Sequence, residues 1–566
     1  MFALNINICA FIALQIGITI VLTQSSFASF ITHERRDTIP TGFTLIGPAD
    51  GSSMLTLRIN LISNNMPGLE SELYNTARKA HLSKEELTAF VSPTNETTTS
   101  VTDWLSSFGI DFTTTSSAGN WLQITVNVGT ANQLLNANFM SFNDDSTGKE
   151  IVRTLSYSLP TQLQPHIRLI HPTVVFPVKV KPFGSTLKQK SDIPGNIAGR
   201  ATAPPASCAE EITPTCLLDL YGIPLSPTPN PQTASRLAIA EFHNQFPQKA
   251  DLVAFLKAFR PDLPSNLTFN VEFIDGGSDP QNPSEAGIVA NLNVQYTIGL
   301  APTIPVTVII VGPDNTDGID GFLDLINFVL EQPNPAQVLL IPFGFNEPDV
   351  TSTMAQALCD GYMQLGGLGI TVIFPSGNGG VAGVESEQCT TFIPTFPSSC
   401  PFVTSVGGTT GIPEVAADFS SGGFSNIFTR PDYQTTAVEK YLSLIGDLNA
   451  GKFNKSSRAF PDVSALAENI VIIVGGTEDA VAGTEASATI FASIIALINA
   501  EIIAGGLGPV LGFLNPLFYI ADIFNDITSG DNPGCDTDGF PALVGWDAIS
   551  GIGSTNFVGT SSITKL

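Results

Sequence analysis

What most constrains the fold of this chain is a set of short, β-branched apolar runs after residue 236: Leu237 to Phe242, Val306 to Val311, Val338 to Phe343, Ile370 to Phe374 and Ile470 to Val474. Runs this short and this continuously apolar read as strands buried on both faces. Helical stretches separate them, and strands alternating with helices argue for a parallel sheet covered on both sides, an α/β domain. At 566 residues the chain is too long for one ordinary domain, and 43% hydrophobic residues are ample for a large core.

A smaller unit precedes that domain. Ser83, with Glu86 three residues on, caps a helix that opens within His81 to Leu87, and Trp121 to Val128 alternates in the strand manner. Val178 to Ser207 is rich in Lys, Pro, Gly and Ser without a sustained apolar period, which predicts an exposed, protease-accessible linker. At the start, the uncharged apolar run Ile8 to Leu22 is followed by Ser26-Phe27-Ala28. It reads as a signal peptide over 1–28 rather than a membrane anchor, being shorter than the roughly 20 residues needed to span a bilayer. The expected organisation is therefore a leader (1–28), an α+β unit (29–177), a linker (178–207) and the α/β domain (208–566).

Secretion agrees with the cysteines. Cys9 leaves with the leader, and Cys208, Cys216, Cys359, Cys389, Cys400 and Cys535 remain as an even set. Cys208 with Cys216 and Cys389 with Cys400 are near enough to close loops, which would leave Cys359 with Cys535; sequence alone leaves that connectivity open. Asn95, Asn266 and Asn454 each begin a glycosylation sequon.

The net charge of −27 is uneven: residues 1–204 hold 14 basic and 14 acidic side chains, and residues 205–566 hold 10 and 37. So acidic a surface repels nucleic acid and anionic membranes and suits solubility outside the cell. No zinc spacing or phosphate loop stands out.

One loop carries the chemistry. Gly483-Thr484-Glu485-Ala486-Ser487 runs into the apolar stretch Ile490 to Ile503. A tight glycine turn entering a buried helix places backbone N–H groups where they can stabilise an oxyanion. With Phe460 to Ala465 and Phe491 to Asn499 around it, the loop resembles that of the sedolisin family of serine-carboxyl peptidases, the secreted fungal tripeptidyl peptidases in particular. Ser399 to Thr409, Ala290-Asn291-Leu292 with Val294-Gln295-Tyr296, and Gly545-Trp546-Asp547 with Gly551 and Gly553 match the same family in the same order. The resemblance implies a subtilisin-like core preceded by an activation prodomain that acts in cis.

At the catalytic positions the chain departs from that family. Sedolisins read Gly-Thr-Ser-Ala-Ser, with the first serine as nucleophile; this chain has Glu485. Family members activate the serine with a glutamate, backed by an aspartate one helical turn on; Val289 and Asn293 stand there. An aspartate of a Ser-Gly-Asp motif donates to the oxyanion, and Asn378 replaces it, a mild change because an amide can also donate. Ser487 reads as a loop or packing residue, Glu285 as a solvated charge near the helix start, and His243 as an ordinary strand-end residue.

The family's calcium site maps onto Asp526, Ile527, Leu543, Gly545 and Asp547, with Leu543 where relatives have Gly. Two carboxylates and three backbone carbonyls, with a water, suit one structural Ca²⁺. Asp526 and Asp547 capping turns would be the plainer role. The preferred reading is a secreted pseudopeptidase that binds peptides or protein partners. The alternative is an active acid serine-carboxyl tripeptidyl peptidase.

Overall fold

The computed structural model describes residues 29–75, 80–178, 180–182, 186–187, 206–225, 235–242, 244–315 and 318–562. The leader, most of the linker and His243 lie outside the described residues.

In the N-terminal unit, Met54–Leu61 pairs antiparallel with Trp121–Asn127 and with Ile167–His171, and Phe112–Thr114 lies outside Trp121–Asn127. Val101, Trp104 and Leu105 of the helix Asn95–Ser107 pack on Leu57, Ile59 and Ile124 of this sheet. The expected cap is present: Ser83 Oγ accepts from Glu86 N (3.2 Å), and Glu86 Oε2 accepts from Ser83 N (2.8 Å), at the head of helix Lys84–Val91.

The larger unit is built on a parallel sheet in the order Asn270–Ile274, Val306–Val311, Leu237–Glu241, Val338–Leu340, Thr371–Pro375, Thr404–Thr410. Val463–Leu466 also runs parallel to Thr404–Thr410. Four of the five expected runs thus lie side by side. The run 338–343 is cut short because Pro342 has no N–H for the ladder, and the chain resumes as Phe343–Asn346 in a different sheet. Ile470–Val474 is a correction. It belongs to an antiparallel hairpin with Thr477–Ala482, turned by Gly475 and Gly476 at φ 58° and 80°, and a two-residue loop can join only antiparallel strands.

Two helices fill the interior. Ile288–Leu300 is buried at every position from Val289 on, and Thr484–Gly505 from Thr484 to Asn499. A helix without a polar face belongs inside a large core. Gln295 fixes the first one in place, donating to Ile473 O (2.6 Å) and accepting from Ile473 N (2.9 Å) of the hairpin.

The disulfides are Cys208–Cys216, Cys359–Cys400 and Cys389–Cys535. Only the first matches the spacing argument. Between Cys389 and Cys400 the strand Thr395–Phe396 carries the chain into the interior, so Cys400 meets Cys359 on the buried helix Ser352–Gly367. Cys389 stays in a surface loop beside Cys535.

The start of the linker also differs from expectation. Val178 and Val180 are buried, and Val180 N donates to Val178 O (3.0 Å). Lys181–Pro182 pairs with Phe343–Gly344, and Thr186–Leu187 with Val481–Ala482.

The two units share one apolar cluster, in which Leu69, Leu82, Leu87 and Trp121 meet Phe322, Leu323, Leu358 and Met363. Around it, Arg58 forks onto both carboxylate oxygens of Asp324 (2.7 and 2.9 Å) and lies 3.4 Å from Asp320. Arg168 pairs with Asp360 at 2.5 Å. Lys84 Nζ donates to Leu330 O and Gln332 O (2.6 and 2.7 Å) at the C-terminal end of helix Ile319–Glu331, where a cation is favoured. Because Arg58 is mostly but not wholly buried, Arg58→Ala should cost about 2 kcal/mol, below the cost of breaking a fully buried pair. Arg58→Lys, which cannot fork, should recover only part. Thermal melting of the full chain checks this, and unchanged melting for Arg58→Ala would remove the pair from the forces holding the units together.

Candidate active site

Val289 and Asn293 lie one turn apart near the start of the helix Ile288–Leu300, on the same face. Val289 is buried, its N–H donating to Gln245 Oε1 (3.1 Å), and its isopropyl group can neither take nor give a proton. Asn293 bridges two elements. Its Nδ2 donates to Glu241 Oε1 (2.7 Å), and its Oδ1 accepts from Thr489 Oγ1 (2.7 Å). Thr489 sits one turn after Glu485 and is also 2.8 Å from the Glu485 carbonyl oxygen.

Glu241 escaped the sequence reading. It ends the buried strand Leu237–Glu241, at the carboxyl edge of a parallel sheet, where sites of such folds collect. Burial pushes its pKa up to about 8, against the opposing pull of the Asn293 hydrogen bond. It is therefore a neutral acid at neutral and acidic pH. The signal for it was a single polar residue closing an otherwise apolar run.

The loop Ser376-Gly377-Asn378 follows the strand Thr371–Pro375. Gly377 has φ 114°, and a Cβ there would meet Ser421 Oγ at 2.8 Å. Asn378 Oδ1 accepts from Thr484 N (2.8 Å) and Thr484 Oγ1 (3.0 Å), and its Nδ2 donates to Glu485 Oε2 (3.1 Å). Glu485 is fully buried in the first turn of its helix, the end at which a negative charge is favoured.

The structure thus gathers the expected positions: Asn378 touches Glu485, and Asn293 reaches the same helix through Thr489. Ser487 and Glu285 stay out of this cluster. Ser487 Oγ donates to Ala465 O (2.8 Å), away in the core, as a packing residue would. Glu285 is exposed in the turn Pro283–Glu285, outside the helix that carries Val289.

The five positions matched to a calcium site also come together. Gly545 N donates to Asp526 Oδ2 (3.0 Å), joining the two loops. Asp547 is buried, its Oδ2 accepting from Leu543 N (3.0 Å) and its Oδ1 from Ile549 N, Ser550 N and Ser550 Oγ (3.2, 2.8 and 3.0 Å). It therefore caps a turn, as the plainer reading held. Burial nevertheless pushes its pKa up to about 7, so its charge is under-compensated by these donors. The carboxylates of Asp526 and Asp547 thus already accept backbone N–H groups of Gly545 and Leu543.

Residues 41–176 match the activation domain of pro-kumamolisin. Tripeptidyl-peptidase SED2 of Arthroderma otae is 31% identical over 96% of this chain and 97% of its own length. A probable tripeptidyl-peptidase SED3 of Arthroderma benhamiae is 34% identical over 84% of this chain and 85% of its own. Among solved structures, a Pseudomonas sedolisin in complex with pseudo-iodotyrostatin aligns with a TM-score of 0.51 and 22% identity over 63% of this chain and 98% of its own, a likeness of fold.

Glu241 gives this site a testable pH signature. Its pKa rises from 4.5 in the unfolded chain to about 8 in the fold. The stability it contributes is fully present below pH 4.5 and is lost as pH rises toward 8, at no more than about 1.4 kcal/mol per pH unit. Glu241→Gln keeps an acceptor for Asn293 and cannot ionise, so its melting temperature should fall less than the wild type's between pH 5 and 9. Parallel profiles would show that Glu241 does not hold a proton in the fold.

Proposed function

This chain belongs to the sedolisin family of serine-carboxyl peptidases, and on that premise we propose that it is a secreted member without peptidase activity that uses its scaffold to bind peptides or protein partners. The observation that carries this reading is the joint occupancy of the reaction centre. Glu485 stands where the nucleophile belongs, Val289 where the base belongs, and Asn293 where its supporting acid belongs. In a serine peptidase, loss of nucleophile or base costs about 10⁶ in rate, roughly 8 kcal/mol of barrier. Asn378 retains donor ability, but it is held by Thr484 and Glu485. The names of the relatives favour the second reading, an acid tripeptidyl peptidase that has rearranged its chemistry.

The prodomain in this reading stays attached, because removal by the chain's own site needs groups that are absent. Purified full-length protein shifted to acidic pH should remain one chain and leave peptide substrates uncut. Cleavage by the wild type that Glu485→Ala does not change would place the chemistry elsewhere. Glu485→Ser alone should stay silent, whereas Glu485→Ser with Val289→Glu and Asn293→Asp, which supplies nucleophile, base and supporting acid together, should show detectable cleavage.

One Ca²⁺ held by Asp526, Asp547 and the carbonyls of Ile527, Leu543 and Gly545 would supply structural charge, not chemistry. A ligand that binds only the folded state stabilises it by RT ln(1 + [L]/Kd), about 2.7 kcal/mol at 100-fold over Kd. Chelation should lower the melting temperature, and Asp547→Ala should abolish that response. Unchanged melting on chelation of protein first shown to hold calcium would reject this site.

A further inference from the structure

We propose that Glu485 is a built-in ligand of this chain's own site: its carboxylate fills the place where an external carboxylate or acyl oxygen would be held, and so keeps the site shut. The inference rests on the assignment of position 485 as the vacated nucleophile position. Three observations carry it. Asn378 is oriented by Thr484, whose N–H and hydroxyl both point at the amide oxygen (2.8 and 3.0 Å), so the amide nitrogen must face the other way. That nitrogen meets Glu485 Oε2 at 3.1 Å. Glu485 itself is fully buried, so its carboxylate is no solubilising surface charge.

The setting suits an anion. Glu485 lies in the first turn of the 22-residue helix Thr484–Gly505, whose dipole favours negative charge at that end. Gly377 N–H donates to Thr484 Oγ1 (3.0 Å), locking the loop to the same helix turn. The anion position is therefore built from two elements and occupied from within.

Glu485→Ala removes a CH₂–COO⁻ group, about the size of acetate, and leaves the donors in place. In the full chain this variant should melt about 3–6 °C below the wild type. Addition of 50 mM sodium acetate, against sodium chloride of equal ionic strength, should recover at least about 1 °C in the variant and nothing in the wild type. Equal melting of variant and wild type overturns the proposal, as does an acetate effect of equal size in both. A loss of stability that acetate does not touch reduces Glu485 to packing and overturns it too. Should Glu485→Ala fail to fold, Glu485→Gln carries the test, since it fills the volume without the charge: it should melt below the wild type at neutral pH, and equal melting overturns the proposal. The pseudopeptidase reading fails on peptide cleavage by the wild type and this inference on melting, so the two failures are distinguishable.

Discussion

A polar atom in the interior of this core must find its partner within the protein, and the amide of Asn293 meets that demand on both sides at once. It gives a proton to Glu241 at the end of a central strand and takes one from Thr489 on the helix that carries Glu485. One side chain thereby sets how the sheet and the two buried helices sit against each other. A second carboxylate in place of Asn293 would stand against Glu241 in a dry setting, where two acids so close cannot both ionise. Asparagine keeps the hydrogen bond and drops the charge. Val289, one turn earlier, has no polar atom on its side chain to satisfy at all.

The same accounting explains how the two units stay together. The larger unit carries the acidic excess, and the smaller one supplies cations where the two touch: Arg58 to Asp324, Arg168 to Asp360, Lys84 to the end of the helix Ile319–Glu331. These contacts ring an apolar cluster drawn from both units. Ion pairs at a partly wet rim add little by themselves, and the cluster they enclose contributes most of the attraction.

Much of this was readable along the chain. Continuously apolar, β-branched runs favour a doubly covered parallel sheet, and four of the five lie in one. The fifth was misplaced although its turn was in view: Gly475-Gly476 between two runs is a hairpin signal, and it outweighs the apolar character of Ile470–Val474. The expected site positions rest on motif order around Val289, Asn378 and Glu485, and the fold does bring Asn378 and Glu485 into contact. What could not be read was pairing across distance. Asn293 meets partners 52 and 196 residues away, and nothing local in sequence names them. Glu241 was hidden for the same reason, since its raised pKa comes from burial under elements that follow it. Two disulfides went astray because nearness in sequence does not imply nearness in space once a strand intervenes.

Reaction centres are commonly left with donors that await a substrate, and a fold bears that cost for the sake of chemistry. Here the donor at position 378 already has its acceptor. Asn378, Thr484 and Glu485 close a small network between a loop and a helix N-terminus. In the proposed reading Val289 and Asn293 act in the same direction, as groups that only pack or hydrogen-bond where the family exchanges protons. Asn293, Asn378 and Glu485 thus take hydrogen-bond partners from within the chain. A binding role would then rest on the surfaces around this centre, because the Asn378 amide is already turned toward Glu485.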